Sequence, residues 1–197
     1  MASYSIPYVV EQTSRGERTS DIYSRLLSDR IVYLGTEIDD GVANVIIAQL
    51  LHLQSVDSDA QINLYINSPG GSATAMFGIY DTIRFLRPAV ATYCVGQAAS
   101  AGAVIFAAGE PGRRLVLPHA RILLHPPSME SQGTLPDLAV QAAEITRLRN
   151  LQDEVLAYHT GRSVPELQRD IQRDRVFTAT EAVEYGLADE IVSLPAG

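Results

Sequence analysis

The stretch that most limits how this chain can fold runs from residue 61 to residue 108, where strand-like and helix-like segments alternate and glycine marks the changes. "QINLYINSPGG" (61 to 71) alternates Ile62, Leu64 and Ile66, as a half-buried strand does, and breaks at Ser68, Pro69, Gly70 and Gly71. "SATAMFGIYDTIRFL" then continues as a helix until Arg87 and Pro88 stop it. The same unit recurs with "AVATYCVG" and "SAGAVIFAAG", and "RILLH" adds another strand. Upstream, "RIVYLG" (30 to 35) is a strand ended by Gly35. It is followed by "DDGVANVIIAQLLHLQS", where Val42, Val45, Ile46, Gln49, Leu50 and Leu53 fall at mostly helical spacing. No internal sequence repeat divides these units into duplicated domains. Their order predicts an α/β domain with a mainly parallel sheet and helical crossovers, in which sites form where strand ends meet helix starts.

At 197 residues the chain suits one domain with a substantial core. Hydrophobic residues make up 46% and charged residues 19%, which leaves apolar surface for subunit contacts. The formal net charge of −8 gives a phosphate backbone no basic footprint, so nucleic acid is not an expected partner. Cys94 has no second cysteine to bridge. His52, His119, His125 and His159 are not grouped at metal-ligand spacing, so a cytoplasmic, metal-free protein is expected. The start "MASYSIPYVVEQTSRGERTSD" lacks a basic stretch followed by a long apolar run, and no apolar stretch is of spanning length; neither export by that route nor a membrane location is expected.

The second half reads differently. From Asp137 to His159, Leu138, Ala142, Ile145, Leu148, Leu151 and Val155 recur three or four residues apart with charged residues between them, the pattern of one long helix. A helix of that length, reaching about 30 Å, suits an arm that packs against a partner. "SVPE" (163 to 166) and "TATE" (178 to 181) have the form of capping boxes, with Gly161 and Gly186 as helix ends and "LADEIVSLPAG" as a last short strand.

Ser100, in "GQAASAGA", follows a strand-like run and opens a helical one, a position that exposes its hydroxyl. Gly70 and Gly71 form a second turn, and the two together could aim backbone N–H groups at a developing oxyanion. The same arrangement would hold a phosphate or a thioester carbonyl, and close packing of a helix on a sheet accounts for the small residues as well. The lipase pattern G-x-S-x-G is absent, because Ala98 stands two before Ser100. A serine hydroxyl needs a base, and His125, fixed by Pro126 and Pro127 behind it, is the candidate; His119 reads as a turn residue, and His52 and His159 as structural. A carboxylate to orient the imidazole is available at Asp170 or Asp174, and the spacing does not separate them.

The sequence resembles the proteolytic subunits of the Clp (caseinolytic) protease family. The likeness runs through "YVVEQTSRGERTSDIYSRLLSDRIVYLG", "INLYINSPGG", "GQAASAGA", "LPHARILLH" and "RDRVFTATEAVEYGLADEI", nearly the whole chain in the family's order. The resemblance implies a serine endopeptidase with Ser100 as nucleophile, His125 as general base and Asp174, within "RDR", as the orienting carboxylate. It implies an oxyanion hole made by the N–H groups of Gly71 and Ala101. The implied fold is crotonase-like, built of repeated β-β-α turns with a protruding handle helix. Residues 1–20 would be an N-terminal axial loop segment and 21–197 a single peptidase domain, with the handle region at about 126–159. Two stacked heptameric rings would enclose the active sites and admit unfolded polypeptides. An AAA+ unfoldase of the ClpX or ClpC type would use the ATP and dock on Tyr65, Phe85, Tyr93, Leu115 and Leu117; the subunit itself needs no cofactor.

The sequence departs from the family where Pro126 stands in place of a common Gln, where Met129 and Glu130 replace a Gly-Gly pair, and where Ala101 replaces a common Met. Pro126 and the loss of the glycine pair stiffen a segment that in the family runs beside the substrate and joins the rings. They predict full activity in a barrel shared with a paralogue, with a double ring of this chain alone as the competing account. A weakly active or structural ring subunit is the alternative, and a crotonase-fold acyl-CoA enzyme the third reading.

Overall fold

The computed structural model of the chain describes residues 5–14, 16–126 and 133–193; Met129 and Glu130, two of the three departures in the 126–130 segment, lie outside the described residues. Chain order within them is β1 (Tyr8–Thr13), β2 (Gly16–Asp21), α1 (Ile22–Ser28), β3 (Ile31–Leu34), α2 (Asp40–Val56), β4 (Ile62–Ser68), α3 (Ala73–Phe85), β5 (Val90–Ala99), α4 (Ala101–Ala107), β6 (Arg114–Val116), β7 (Arg121–Leu124), α5 (Leu135–Thr160), α6 (Val164–Asp170), β8 (Arg175–Phe177), α7 (Ala179–Tyr185) and β9 (Glu190–Ile191). The main sheet runs β3-β4-β5-β6-β9, all parallel, and β7 joins it on β5 while pairing β8 antiparallel. The expected α/β architecture with a mainly parallel sheet is therefore present.

The strands bury alternate residues. In β4, Ile62, Leu64 and Ile66 are fully buried while Asn63, Tyr65 and Asn67 are half-buried, the period of two that the sequence announced. On α2 the buried residues are Ala43, Ile46, Leu50 and Leu53, a strict three-and-four spacing. The expectation that Val45 would face the core is corrected: it is 56% exposed, and the smaller Ala43 takes the inner position. All seven residues of α4 are buried, so this short helix is the centre of the core. Truncating Phe106 there would cost about 3–5 kcal/mol, as for other buried aromatics.

Strand β5 serves two neighbours. Thr92 to Cys94 pair with β6, Gln97 to Ala99 pair with β7, and Gly96 lies between them at φ 77°. A Cβ on Gly96 would also meet Asn67 Oδ1 at 2.8 Å, so a residue without one is needed where the strand changes partner. The turn lets the end of β5 deliver Ser100 beside β7.

Helix α5 begins with a capping box, in which the Asp137 carboxylate accepts from Thr134, and ends at Gly161 with φ 71°. Its first half is exposed, with Val140 71% accessible, and its second half is buried at Gln152, Asp153, Val155, Leu156 and Ala157. Ala142, read as part of the apolar stripe, is exposed. Among the described residues the arm is therefore most deeply rooted at its C-terminal end, where Arg114 donates to the carbonyls of His159 and Gly186 and pairs with Asp189. The boxes at Ser163 and Thr178 form as expected, with Glu166 and Glu181 accepting from the capping residues. The hairpin of β1 and β2 occupies most of the expected axial segment.

Candidate active site

Three neighbouring strands bring the chemistry together. Ser100 follows β5 at φ 53° and ψ −119°, a conformation that costs a non-glycine residue about 1–3 kcal/mol and lifts the side chain off both strand and helix. Two things hold it there: the Ser100 N–H donates to the Leu123 carbonyl of β7 at 2.8 Å, and its own carbonyl accepts from Ala103 at the start of α4. Its hydroxyl makes no hydrogen bond among the described residues.

The glycine turn closes against this elbow. Gly70 has φ 100°, and a Cβ there would strike the Ala99 carbonyl and Ser100 Cβ, both at 2.7 Å. Gly71 at φ 150° leaves room for Ile38, whose N–H donates to the Gly70 carbonyl and whose carbonyl accepts from Ser72. Fully buried Ser68 pins the turn from beneath: its hydroxyl donates to the Thr36 carbonyl at 2.6 Å and accepts from the Gly70 N–H at 3.1 Å. The sequence reading took Ser68 as a mere strand breaker; a serine two residues before a Gly-Gly turn was the available signal for an ST-turn. The N–H groups of Gly71 and Ala101 enter none of these bonds. Gly102 lies so close to Ser68 that a Cβ would sit 3.3 Å from it, so the small residues of "GQAASAGA" do serve close packing.

His125 follows the last residue of β7, half-buried. Its Nδ1 lies 2.7 Å from the carbonyl of Pro126 and donates to it. That bond fixes the tautomer and leaves Nε2 as the acceptor. The β7–β8 register ends with Leu124 opposite Arg175, the residue before His125 and the residue after Asp174. Asp174 is exposed and makes no hydrogen bond or ion pair among the described residues. Asp170 is occupied: it accepts from the Tyr185 hydroxyl at 2.8 Å and pairs with Arg175. Burial and this bond push the Tyr185 hydroxyl up to about 12.

Ser100, Gly71, Ala101 and His125 line one cleft of about 430 Å³, walled further by Met76, Ile145, Leu148 and Gln152. Asp174 is not among its lining residues. Cys94 is buried, which pushes its thiol up to about 12 and leaves it inert as a nucleophile. His159 is held neutral: burial, with Arg84 and Arg114 nearby, pushes it down to about 4, and it lies 3.1 Å from the Tyr80 hydroxyl in a structural contact. His52 and His119 are exposed. No group of metal-ligating side chains occurs among the described residues, and no helix there is long and apolar enough to cross a membrane.

On the other side of the sheet, register aligns Tyr33, Tyr65, Tyr93 and Leu115 in one row across β3 to β6. Tyr65 and Tyr93 stack with ring centroids 4.4 Å apart and planes 6° from parallel. Leu117 is half-buried just beyond β6. Phe85, 76% exposed in the last turn of α3, makes no ring contact with the tyrosines.

The Clp protease family model matches residues 14–194 of the chain. The chain is 63% identical over 193 residues to the ATP-dependent Clp protease proteolytic subunit 4 of Rhodococcus jostii, covering 98% of this chain and 100% of that one. It is 58% identical over 194 residues to subunit 2 of Streptomyces avermitilis, with 98% and 97% covered. Identity to subunit 1 of Nocardia farcinica is 54% over 194 residues, with 98% of each covered.

Proposed function

The chain belongs to the Clp protease family; it is an ATP-dependent Clp protease proteolytic subunit, a serine endopeptidase, and we propose that Ser100, His125 and Asp174 carry its chemistry. The observation that carries this assignment is one cleft holding a strained Ser100 with its hydroxyl unbonded among the described residues, an imidazole with Nε2 left as acceptor, and two backbone N–H groups that enter no bond of the described fold. In that arrangement His125 Nε2 takes the proton of Ser100 Oγ as the oxygen bonds to the substrate carbonyl carbon. The carbonyl oxygen becomes negative and is met by the N–H groups of Gly71 and Ala101. The imidazolium protonates the leaving amine, the C–N bond breaks, and an acyl-enzyme remains. Water then loses a proton to His125 and attacks, and Ser100 recovers its hydrogen.

The place of Asp174 beside the last β7–β8 pair, next to which His125 also lies, and the absence of any bond to it among the described residues support it over Asp170, whose carboxylate is already committed. The bond from His125 to Pro126 favours a second element of the reading: the chain alone is a poor peptidase, and a paralogous ring selects the arrangement in which Asp174 reaches Nδ1. We assign the crotonase-like topology with α5 as the handle, residues 1–20 as an axial segment and 21–197 as the peptidase domain. Two heptameric rings stack through the handles. An AAA+ unfoldase docks on the aromatic face carrying Tyr65, Tyr93 and Leu115 with Leu117 and Phe85 beside it, and spends the ATP. The acyl-CoA alternative falls with the family assignment. The test is labelling of the native complex with a serine-reactive fluorophosphonate, mapped by mass spectrometry. Modification at Ser100, lost with peptidase activity in Ser100→Ala, is the expected result. Labelling elsewhere, or undiminished turnover in barrels whose every catalytic subunit carries Ser100→Ala, overturns it.

A further inference from the structure

The reactive cleft contains a feature that acyl-enzyme chemistry does not use. On α5, Ile145, Leu148 and Gln152 turn toward the cleft that holds Ser100 and His125. The first two, with Met76 beneath, form an apolar wall. Gln152 is 5% exposed, yet its amide makes no hydrogen bond among the described residues. The amide still opens onto the cleft: the one fully buried side-chain polar atom without a partner among the described residues is Asp153 Oδ1, not an atom of Gln152. Among the described residues Gln152 is also the only side-chain amide lining this cleft, and no Asp, Glu, Lys or Arg among them lines it. Hydroxyls at Ser72 and Thr74 are exposed.

We propose that Gln152 sets the substrate preference of this subunit by hydrogen-bonding the side chain of the residue whose carbonyl Ser100 attacks, selecting a neutral amide side chain, glutamine above all. The inference rests on the peptidase reading of Ser100 and deepens it. The apolar wall of Met76, Ile145 and Leu148 accommodates the methylenes of an unbranched side chain, and the Gln152 amide presents one acceptor and two donors to its end. A substrate amide matches both roles. A methionine of similar length fills the same space but leaves Gln152 unpaired, and a charged side chain meets no counter-charge among the described lining residues. Sites built to bond a polar group discriminate against the analogue that lacks it far more strongly than apolar pockets discriminate by size.

The experiment uses the active complex and a set of fluorogenic peptides identical except for Gln, Met, Glu or Lys at the cleaved residue. Where a paralogous subunit is present, it carries its own nucleophile knocked out. The wild type cleaves the Gln peptide at least about tenfold more efficiently than the Met peptide in kcat/KM. Gln152→Met reverses that order, and Gln152→Glu, which keeps the shape, raises the Lys peptide relative to Gln by at least about tenfold. Fluorophosphonate labelling of Ser100 is followed in every variant. Labelled Ser100 with Gln-to-Met and Lys-to-Gln ratios unchanged within about twofold in both variants overturns the role of Gln152 while leaving the nucleophile standing. Absence of labelling at Ser100 in the wild type overturns the peptidase assignment and this inference with it.

Discussion

The nucleophile side and the base side of the cleft are built in different ways. Around Ser100 every backbone group that fixes position is tied: Leu123 holds its N–H, Ser68 and Ile38 hold the glycine turn, and Gly70 has no room for a Cβ. Around His125 the imidazole is tied to its own neighbour Pro126, and Asp174 is tied to nothing among the described residues. One side is tied down by the fold of a single chain, and on the other the proposed partners His125 and Asp174 are not joined. Strain stored at Ser100 is tolerable because α4 behind it is wholly buried, whereas His125 precedes a proline whose carbonyl competes for Nδ1. A device that switches activity with assembly would act on the second side.

The largest test of that contrast is Asp174→Asn. If Asp174 moves onto Nδ1 in the working complex, kcat falls by about 10⁴-fold, the loss seen when a serine protease loses its orienting carboxylate. Asp170→Asn, which keeps an acceptor for the Tyr185 hydroxyl but gives up the charge that pairs with Arg175, changes kcat by less than about tenfold and lowers Tm instead. Peptide turnover with a thermal melt on both variants decides the matter. Equal losses in equally folded proteins would mean that the Pro126 carbonyl is the lasting partner of His125 and that the base side is already complete.

Next in size is Gly70→Ala on the rigid side. The new methyl meets Ala99 O and Ser100 Cβ at 2.7 Å in a backbone conformation that alanine rarely adopts, so the elbow must shift. A displacement of about 1 Å costs about a hundredfold in rate. The expected outcome is that loss in kcat together with slower fluorophosphonate labelling. Asp174→Asn, by contrast, slows labelling through the base alone, and its oxyanion geometry stays intact. A Gly70→Ala enzyme with wild-type labelling and turnover would show that the nucleophile side is no tighter than the other.

The two sides also differ in how far the sequence revealed them. The strand at Ile62 to Ser68 and the helix at Ala73 to Phe85 were legible because burial alternates at two and at three to four residues, and both ends carry breakers. Ser100 and the glycine turn stood out as a strand-to-helix change among small residues. The β1–β2 hairpin and α1 were not read, since β1 and β2 are largely exposed and α1 has no buried residue to set a period. Three-residue β6 and β8 are too short to show one. Local spacing did not separate Asp174 from Asp170, because the distinction lies in a cross-strand register and in a tyrosine fifteen residues away in sequence. Gln152 was hidden inside an amphipathic pattern, where a polar residue reads as solvent-facing.

The smallest expected effect concerns the helix that carries Gln152, and it separates the stability of the scaffold from the state of the cleft. Asp153, next to Gln152, is fully buried; Oδ2 accepts from Gln168 of α6 at 2.8 Å, and Oδ1 has no partner among the described residues. Burial pushes its carboxyl above the ordinary value of 3.8, outweighing the Gln168 bond and the nearby Arg149. A carboxyl raised in the folded state contributes stability that is full below 3.8 and is lost as pH rises through the folded value. Asp153→Asn mimics the protonated form and keeps an acceptor for Gln168. At pH 7 it therefore gains about 1 kcal/mol, and the gain shrinks as pH falls through the raised value and vanishes below 3.8. His159 at the end of the same helix works in the opposite sense: it stabilises above about 6.5 and loses that contribution as pH falls toward about 4. Since both proteins carry His159, its effect cancels in the difference between variant and wild type. Melts of the two from pH 7 to pH 4 measure that difference, and kcat is expected to stay within about twofold because Asp153 turns away from the cleft toward α6. A gain in stability that comes with a large change in kcat would join the root of α5 to the base side, and the contrast between a rigid nucleophile and a movable base would then have to include the arm itself.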